Sequence, residues 1–321
     1  MPDPSDDAAP RPLDFRPLAE RKNLVHKEDF AQVLPPVDGF LTWFEALPDI
    51  YGSKSLKHVV SEVVTAREHG REVGVQLGAH VLKVGLSPLV IDLMRRGLIT
   101  HVATNGASAI HDWETAYQGA TSEDVAENLP DGSFGMWRET LDALNGAAKR
   151  AHGEGIGFGA AVGKMILEGE LPHRDLSVFA EAERLAIPAT VHVAFGCDIT
   201  HMDPELDGAA LGAATQQDFW TFADTVGRLE KGVWLNVGSA VIMPEVFLKA
   251  VSIARNRGQL TDDFLTCNFD MLHQYRAMTN VVQRPPKQGR SILAMHEIVL
   301  PLLHQALICT AEQRGCLKEP R

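Results

Sequence analysis

Residues 102–119, VATNGASAIHDWETAYQG, place an imidazole and two carboxylates directly after a small Asn-Gly turn. His111 and Glu114 are three apart, so a helix would set them on one face, with Asp112 beside them. An imidazole titrates near neutral pH and can move protons, and a carboxylate can hold a cation. Acids in a first turn also simply complement the helix dipole, and the two readings weigh about equally. A second dense group is GCDITHMDPELDG over 196–208, with Asp198, His201, Asp203 and Asp207. A capped polar loop would explain it, but so many ionisable groups after an apolar run tip it toward function.

The elements that must position these residues alternate. EVGVQLGAH (72–80), THVATNG (100–106), IPATVHVAFG (187–196), VWLNVGSA (233–240) and DFLTCNFD (263–270) read as strands. SPLVIDLMRRG (87–97), SAIHDWETAYQG (108–119), DLSVFAEAERLA (175–186), DFWTFADTVGRLE (218–230) and PEVFLKAVSIARNRG (244–258) read as helices, with a last helix from Glu297 to Glu312. The strands are nearly continuous apolar runs, as strands covered on both faces should be. The fold class is therefore α/β: a doubly wound, mostly parallel sheet with helices on both faces. Residues 1–30 read as a polar, partly disordered arm, and residues 31–321 as one domain.

In such sheets, ligands bind beyond the carboxyl ends of the strands. Gly78, Ala79, His80 and Lys83 follow the first strand, and Asn105, Gly106, His111 and Asp112 the second. Asp198, Thr200, His201 and Asp203 follow the third, Gly238 and Ser239 the fourth, and Asp270 and His273 the fifth. His192 lies inside a strand and reads as a satisfied core histidine, and His296-Glu297 as a cap and dipole partner. Thr104-Asn105-Gly106 and Gly238-Ser239 could bring backbone amides to a phosphate. No GxGxxG fingerprint is present, so by pattern alone turn and packing roles are favoured for both. His80, His111, His192, His201, His273 and His296 could be gathered with carboxylates around a metal, but no HExxH or HxH signature supports it.

The formal net charge of −12 argues against non-specific nucleic-acid binding and is compatible with a cationic substrate. The four cysteines form no CxxC pair, which fits a reducing cytoplasm. The acidic, Pro-rich beginning is unlike a signal or transit peptide. No apolar stretch reaches the ~18 residues of a membrane span.

Taken in order, these strand ends resemble those of deoxyhypusine synthase, over roughly residues 70–310. The likeness rests on GAHVLKVGL…LMRRGLITHVATNGASAIHDWE, on TSEDVAENLPDGSFGMWRET as an excursion after the helix, and on IPATVHVAFGCD. It continues through VWLNVGSAVIMPEVFLKAVSIARNRG and EIVLPLLHQAL. The resemblance implies a Rossmann-like fold and NAD as cofactor. It also implies a cationic amine such as the polyamine spermidine as substrate, and a homotetramer with sites shared between subunits. It assigns Gly78, Gly85, Thr104, Asn105, Gly106, Asp198, Gly238 and Ser239 to the nucleotide, and puts His111 and Asp112 near the polyamine. Asp112 and Asp198 would then hold the cation, His111 or His201 would move protons, and a lysine would carry a covalent step. The family's Trp-Gly-Lys is absent, and NVVQRPPKQGRSI in its place offers Lys287, with Lys83 as the other candidate. The family's histidine after the glycine turn is also missing near Met243-Pro244, so the chain reads as a divergent relative. Two alternatives stand beside it: a metal-dependent hydrolase or lyase built on His111, His201 and His296, and a non-catalytic nucleotide- or polyamine-binding relative.

Overall fold

The structure is a computed structural model and describes residues 13–31 and 33–320. The first twelve residues of the expected arm lie outside the described residues.

Two sheets form. A small antiparallel pair joins β1 (Asn23–His26) to β4 (Ala120–Glu123). The large sheet comprises β2 (Val73–Leu77), β3 (His101–Asn105), β5 (Ala189–His192), β6 (Val233–Val237), β7 (Leu265–Asp270) and β8 (Gln288–Leu293). All of its pairings are parallel, in the order β5-β3-β2-β6-β7-β8. Counting its strands in chain order, that arrangement is 3-2-1-4-5-6, the doubly wound Rossmann order. The expected fold class is thus what the chain adopts.

β2 and β6 are buried at every position, because helices cover both faces. Val63 of the Tyr51–Glu68 helix and Leu300 of the His296–Gln313 helix share one core cluster with Val75 and Val237. Phe222 of the Gly208–Val226 helix and Phe247 of the Ile242–Asn256 helix form the other with Trp234. Trp234 stacks on Phe247 and meets Phe222 edge-on, arrangements aromatic rings prefer. No helix among the described residues is long and apolar enough to cross a membrane.

The sequence reading missed β8 and the long helices Tyr51–Glu68, Arg138–Glu154 and Phe158–Glu168. β8 is an edge strand that begins exposed and polar after Pro285-Pro286, so it lacks the apolar run of a central strand. The Gly208–Val226 helix starts ten residues before the expected 218, where GAALGAATQQ shows little apolar periodicity. Residues 13–30 lie on the domain: Leu18 is fully buried, β1 pairs with β4, and the Leu18 amide donates to Glu139 at 2.7 Å.

Candidate active site at the switch point of the sheet

The order 3-2-1-4-5-6 sends the connections after β2 and β6 to opposite faces, and a crevice is expected between their carboxyl ends. There the Gly78 amide donates to the Val237 carbonyl at 2.8 Å. A Cβ at Gly78 would lie 2.0 Å from the Gly238 carbonyl oxygen. Gly238 has φ +69°, and a Cβ there would lie 2.8 Å from Cε1 of His296. Both glycines are therefore required by close backbone approach, and they leave the floor of the switch point without side chains.

Around this floor stand His80, Lys83, Asp270 and His296. The His80 and His296 rings are 5.6 Å apart between centroids. Burial lowers the His80 pKa, with His296 and Lys83 adding to the shift and Glu297 and Asp270 opposing it. The side chains of His80 and Lys83 have no hydrogen-bond partner among the described residues. His296 is buried; its Nε2 lies 3.3 Å from the Phe269 carbonyl, while its buried Nδ1 has no partner among the described residues. Asp270 ends β7 and accepts the Met271 and Leu272 amides on Oδ1 alone.

His111 adjoins this group, since Lys83 and His80 both act on its charge. Its Nδ1 lies 2.7 Å from the Thr121 hydroxyl, and burial lowers its pKa to about 4. Its helix neighbours are turned elsewhere. Asp112 accepts the Ser177 hydroxyl at 2.5 Å and the Val178 amide at 2.7 Å, at the start of the Val178–Arg184 helix. It is a buried tie between two helices, with burial raising its pKa to about 7, and it does not face the switch point. Glu114 is bound to Arg21.

Asp198 and His201 form a separate pair. A Cβ at Gly106 would lie 2.0 Å from Asp198 Oδ2, and the Ala107 amide donates to Asp198. The protein's own carboxylate thus occupies the N-terminus of the Gly106–Gln118 helix, where the resemblance implies the nucleotide. Burial raises the Asp198 pKa to about 6. His201 Nδ1 accepts the Gly196 and Asp198 amides, which leaves the proton on Nε2, 3.8 Å from Asp198.

Other expected site residues have local duties. Thr104 is buried and donates to the Thr190 carbonyl. Asn105 caps the Gly106–Gln118 helix by accepting from Ser108. Gly85 makes room for Phe30, whose ring would lie 2.7 Å from a Cβ at that position. Ser239 accepts the Met243 amide. Lys287 precedes β8 at the amino end of the sheet, where it lines a cavity of about 440 Å³ with His69, Lys231 and Asp263. That places it at the opposite end from the glycine floor. His192 contacts Thr190 and Phe222 within the core, as expected.

No group of three or more His, Cys, Asp or Glu side chains among the described residues is arranged to hold a metal. His111, His201 and His296 are thus not gathered into one ligand set. Arg21 and Thr121, which bear on His111, were missed; both sit in segments without periodic pattern, and only their pairing across the chain reveals them.

No family model and no curated protein matches the sequence. Among solved structures, AgrE in ternary complex with ornithine and NAD+ is similar with a TM-score of 0.54 and 16% identity, over 81% of this chain and 33% of that one. The chain thus spans about a third of the length of AgrE. A protein provisionally assigned as LOR/SDH, from Methanococcus maripaludis S2, is similar with a TM-score of 0.52 and 16% identity, over 88% of this chain and 75% of that one. A protein provisionally assigned as a deoxyhypusine synthase, from Entamoeba histolytica, gives a TM-score of 0.47 and 11% identity, over 79% and 87%. The first two likenesses establish the fold.

Proposed function

We propose that this chain is an NAD-dependent enzyme acting on an amine or a basic amino acid, with the dinucleotide across the β2–β6 switch point. The observation that carries the reading is the floor formed by Gly78 and Gly238, with the buried, unpartnered Nδ1 of His296 beside it. A glycine floor admits close backbone approach, and an orphaned buried nitrogen suits a ligand polar group. The N-terminus of the fifteen-residue Ile242–Asn256 helix follows the same loop and would face the pyrophosphate. AgrE, which shares the fold, binds ornithine and NAD+ in its ternary complex.

When bound, the nicotinamide supplies a hydride acceptor. The chain's own residues supply the rest. Asp270, with Oδ2 free of any partner among the described residues, would hold the substrate cation in place of the expected Asp112 and Asp198. His80, whose ring nitrogens are likewise unpartnered, would take the proton from the substrate nitrogen, in place of the expected His111 or His201. If a lysine forms a covalent adduct, Lys83 stands at the switch point and Lys287 does not. Exposed Phe195, Val241, Leu272, Tyr275, Met295 and Ile298 follow the strand ends and favour self-association over this face, as the tetramer expectation requires.

The test is turnover. The chain is mixed with NAD+ and ornithine, arginine or spermidine in turn, and NADH absorbance is followed. NADH formation with one of these amines, lost in Asp270→Asn, is the expected result. A preparation that binds NAD+ and reduces it with none of them overturns the substrate assignment.

A further inference from the structure

The surroundings of His111 fix more than its position. Arg21 and Glu114 form a two-pronged ion pair, with Nη1–Oε1 and Nη2–Oε2 both at 2.7 Å. Burial alone would raise the Glu114 pKa, but the Arg21 guanidinium holds the carboxyl below its ordinary value, so it is ionised. An ionised carboxylate only accepts hydrogen bonds. The Thr121 hydroxyl, 2.6 Å from Glu114 Oε2, must therefore give its single hydrogen to that oxygen. Toward His111, 2.7 Å away on its other side, Thr121 can then only accept. The proton between them belongs to Nδ1 of His111. Nε2 is left with its lone pair, with no partner among the described residues and not sealed from solvent. Glu114 from its own helix, Lys83 and His80 from the Ala79–Lys83 helix and Arg21 from the N-terminal segment act on this imidazole. Arg21 and Glu114 are paired with each other; burial of the ring outweighs the one opposing influence, that of Glu114, and Lys83, Arg21 and His80 push the same way as burial.

We propose that Arg21, Glu114 and Thr121 act as positioning residues that lock His111 in the Nδ1–H tautomer, so that Nε2 is a standing hydrogen-bond acceptor for an N–H donor of the bound amine. The amine rests on the function proposed above; the tautomer does not. With its pKa down at about 4, the His111 ring is too weak a base to hold a proton at neutral pH, so its role is to orient the nitrogen while another group removes the proton. The relay also ties a residue of the N-terminal segment to the geometry of the site, across 93 positions of sequence.

The test is nitrogen-15 NMR of the full chain labelled at histidine, at neutral pH, without nucleotide or amine. The His111 resonances are identified by their loss in His111→Asn. The expected result is the Nδ1–H pattern in the wild type, retained in Thr121→Ser and lost in Thr121→Val. An Nε2–H pattern in the wild type overturns the proposal, and so does an Nδ1–H pattern that survives Thr121→Val. The wild-type spectrum decides the tautomer even if Thr121→Val does not fold. In NADH turnover, Thr121→Val should raise KM for the amine at least tenfold with little change in kcat, and an unchanged KM overturns the orienting role. Failure of the chain to bind NAD+ would overturn the function proposed above and leave the tautomer result intact.

Discussion

Arg21 and Glu114 bind each other through both terminal guanidinium nitrogens while their side chains are 2% and 1% exposed. One comes from the segment before the large sheet, and the other from the helix that carries His111. Breaking such a pair leaves a buried charge uncompensated, which costs about 3–5 kcal/mol. Arg21→Met is expected to lose about that much in urea denaturation at neutral pH. Glu114 has a depressed pKa, so the stability it contributes is present above its ordinary 4.5 and is lost as pH falls below it. The deficit of Arg21→Met should therefore narrow in acid. A deficit below 1 kcal/mol at neutral pH would show that the pair does not fasten the segment.

Asp112, which the resemblance puts near the substrate amine, accepts the Ser177 hydroxyl and the Val178 amide in the interior. Asp112→Ala would leave the Ser177 hydroxyl and the Val178 amide without their acceptor inside the protein. The expected cost is about 1–3 kcal/mol for each buried donor left unpaired. NAD+ affinity per folded molecule should stay at the wild-type value. A stable Asp112→Ala protein that had lost its activity would return Asp112 to the site.

His192 gives a dependence on pH whose sign is fixed by burial. Its pKa falls from 6.5 to about 3 in the folded chain, because burial disfavours the charged ring. The unfolded chain binds the proton first, so this contribution is present above pH 6.5 and is lost as pH falls toward 3. At pH 5 the loss amounts to roughly 2 kcal/mol, from about 1.36 kcal/mol per pH unit. His192→Gln should therefore compare better with the wild type at pH 5 than at pH 7, by roughly that amount. Denaturation curves at the two values measure it, and a parallel loss in both proteins would contradict the burial argument. Asp112 and Asp218, both raised to about 7 by burial, work in the opposite sense over the same range, so the difference between variant and wild type is the informative quantity.

What the sequence made legible follows from range. The strand bodies could be read because double coverage demands apolar runs such as VGVQL and VWLNV. Gly78 and Gly238 were found because a turn must follow each strand. The strand order was not legible: pairing β2 with β6 brings Gln76 to Asn236, and nothing local encodes that contact. The contacts of Asp112 were not legible for the same reason, since Ser177, which donates to it, lies 65 residues away. Gly85 reads as a cofactor glycine until Phe30 is seen against it. Lys287 comes from the resemblance, as the lysine of the stretch standing where the family has Trp-Gly-Lys, and only the position of β8 shows that it lies at the far end of the sheet.

The most direct measurement is calorimetric titration of NAD+ into the wild type, Gly238→Val and Lys287→Ala. A side chain at Gly238 must meet both the left-handed backbone at φ +69° and the His296 ring, while Lys287 is at the opposite end of the sheet. One NAD+ per chain is expected in the wild type and in Lys287→Ala, with at least a hundredfold weaker binding in folded Gly238→Val. Undiminished binding by Gly238→Val, or no binding by the wild type, would contradict a cofactor site at the β2–β6 switch point.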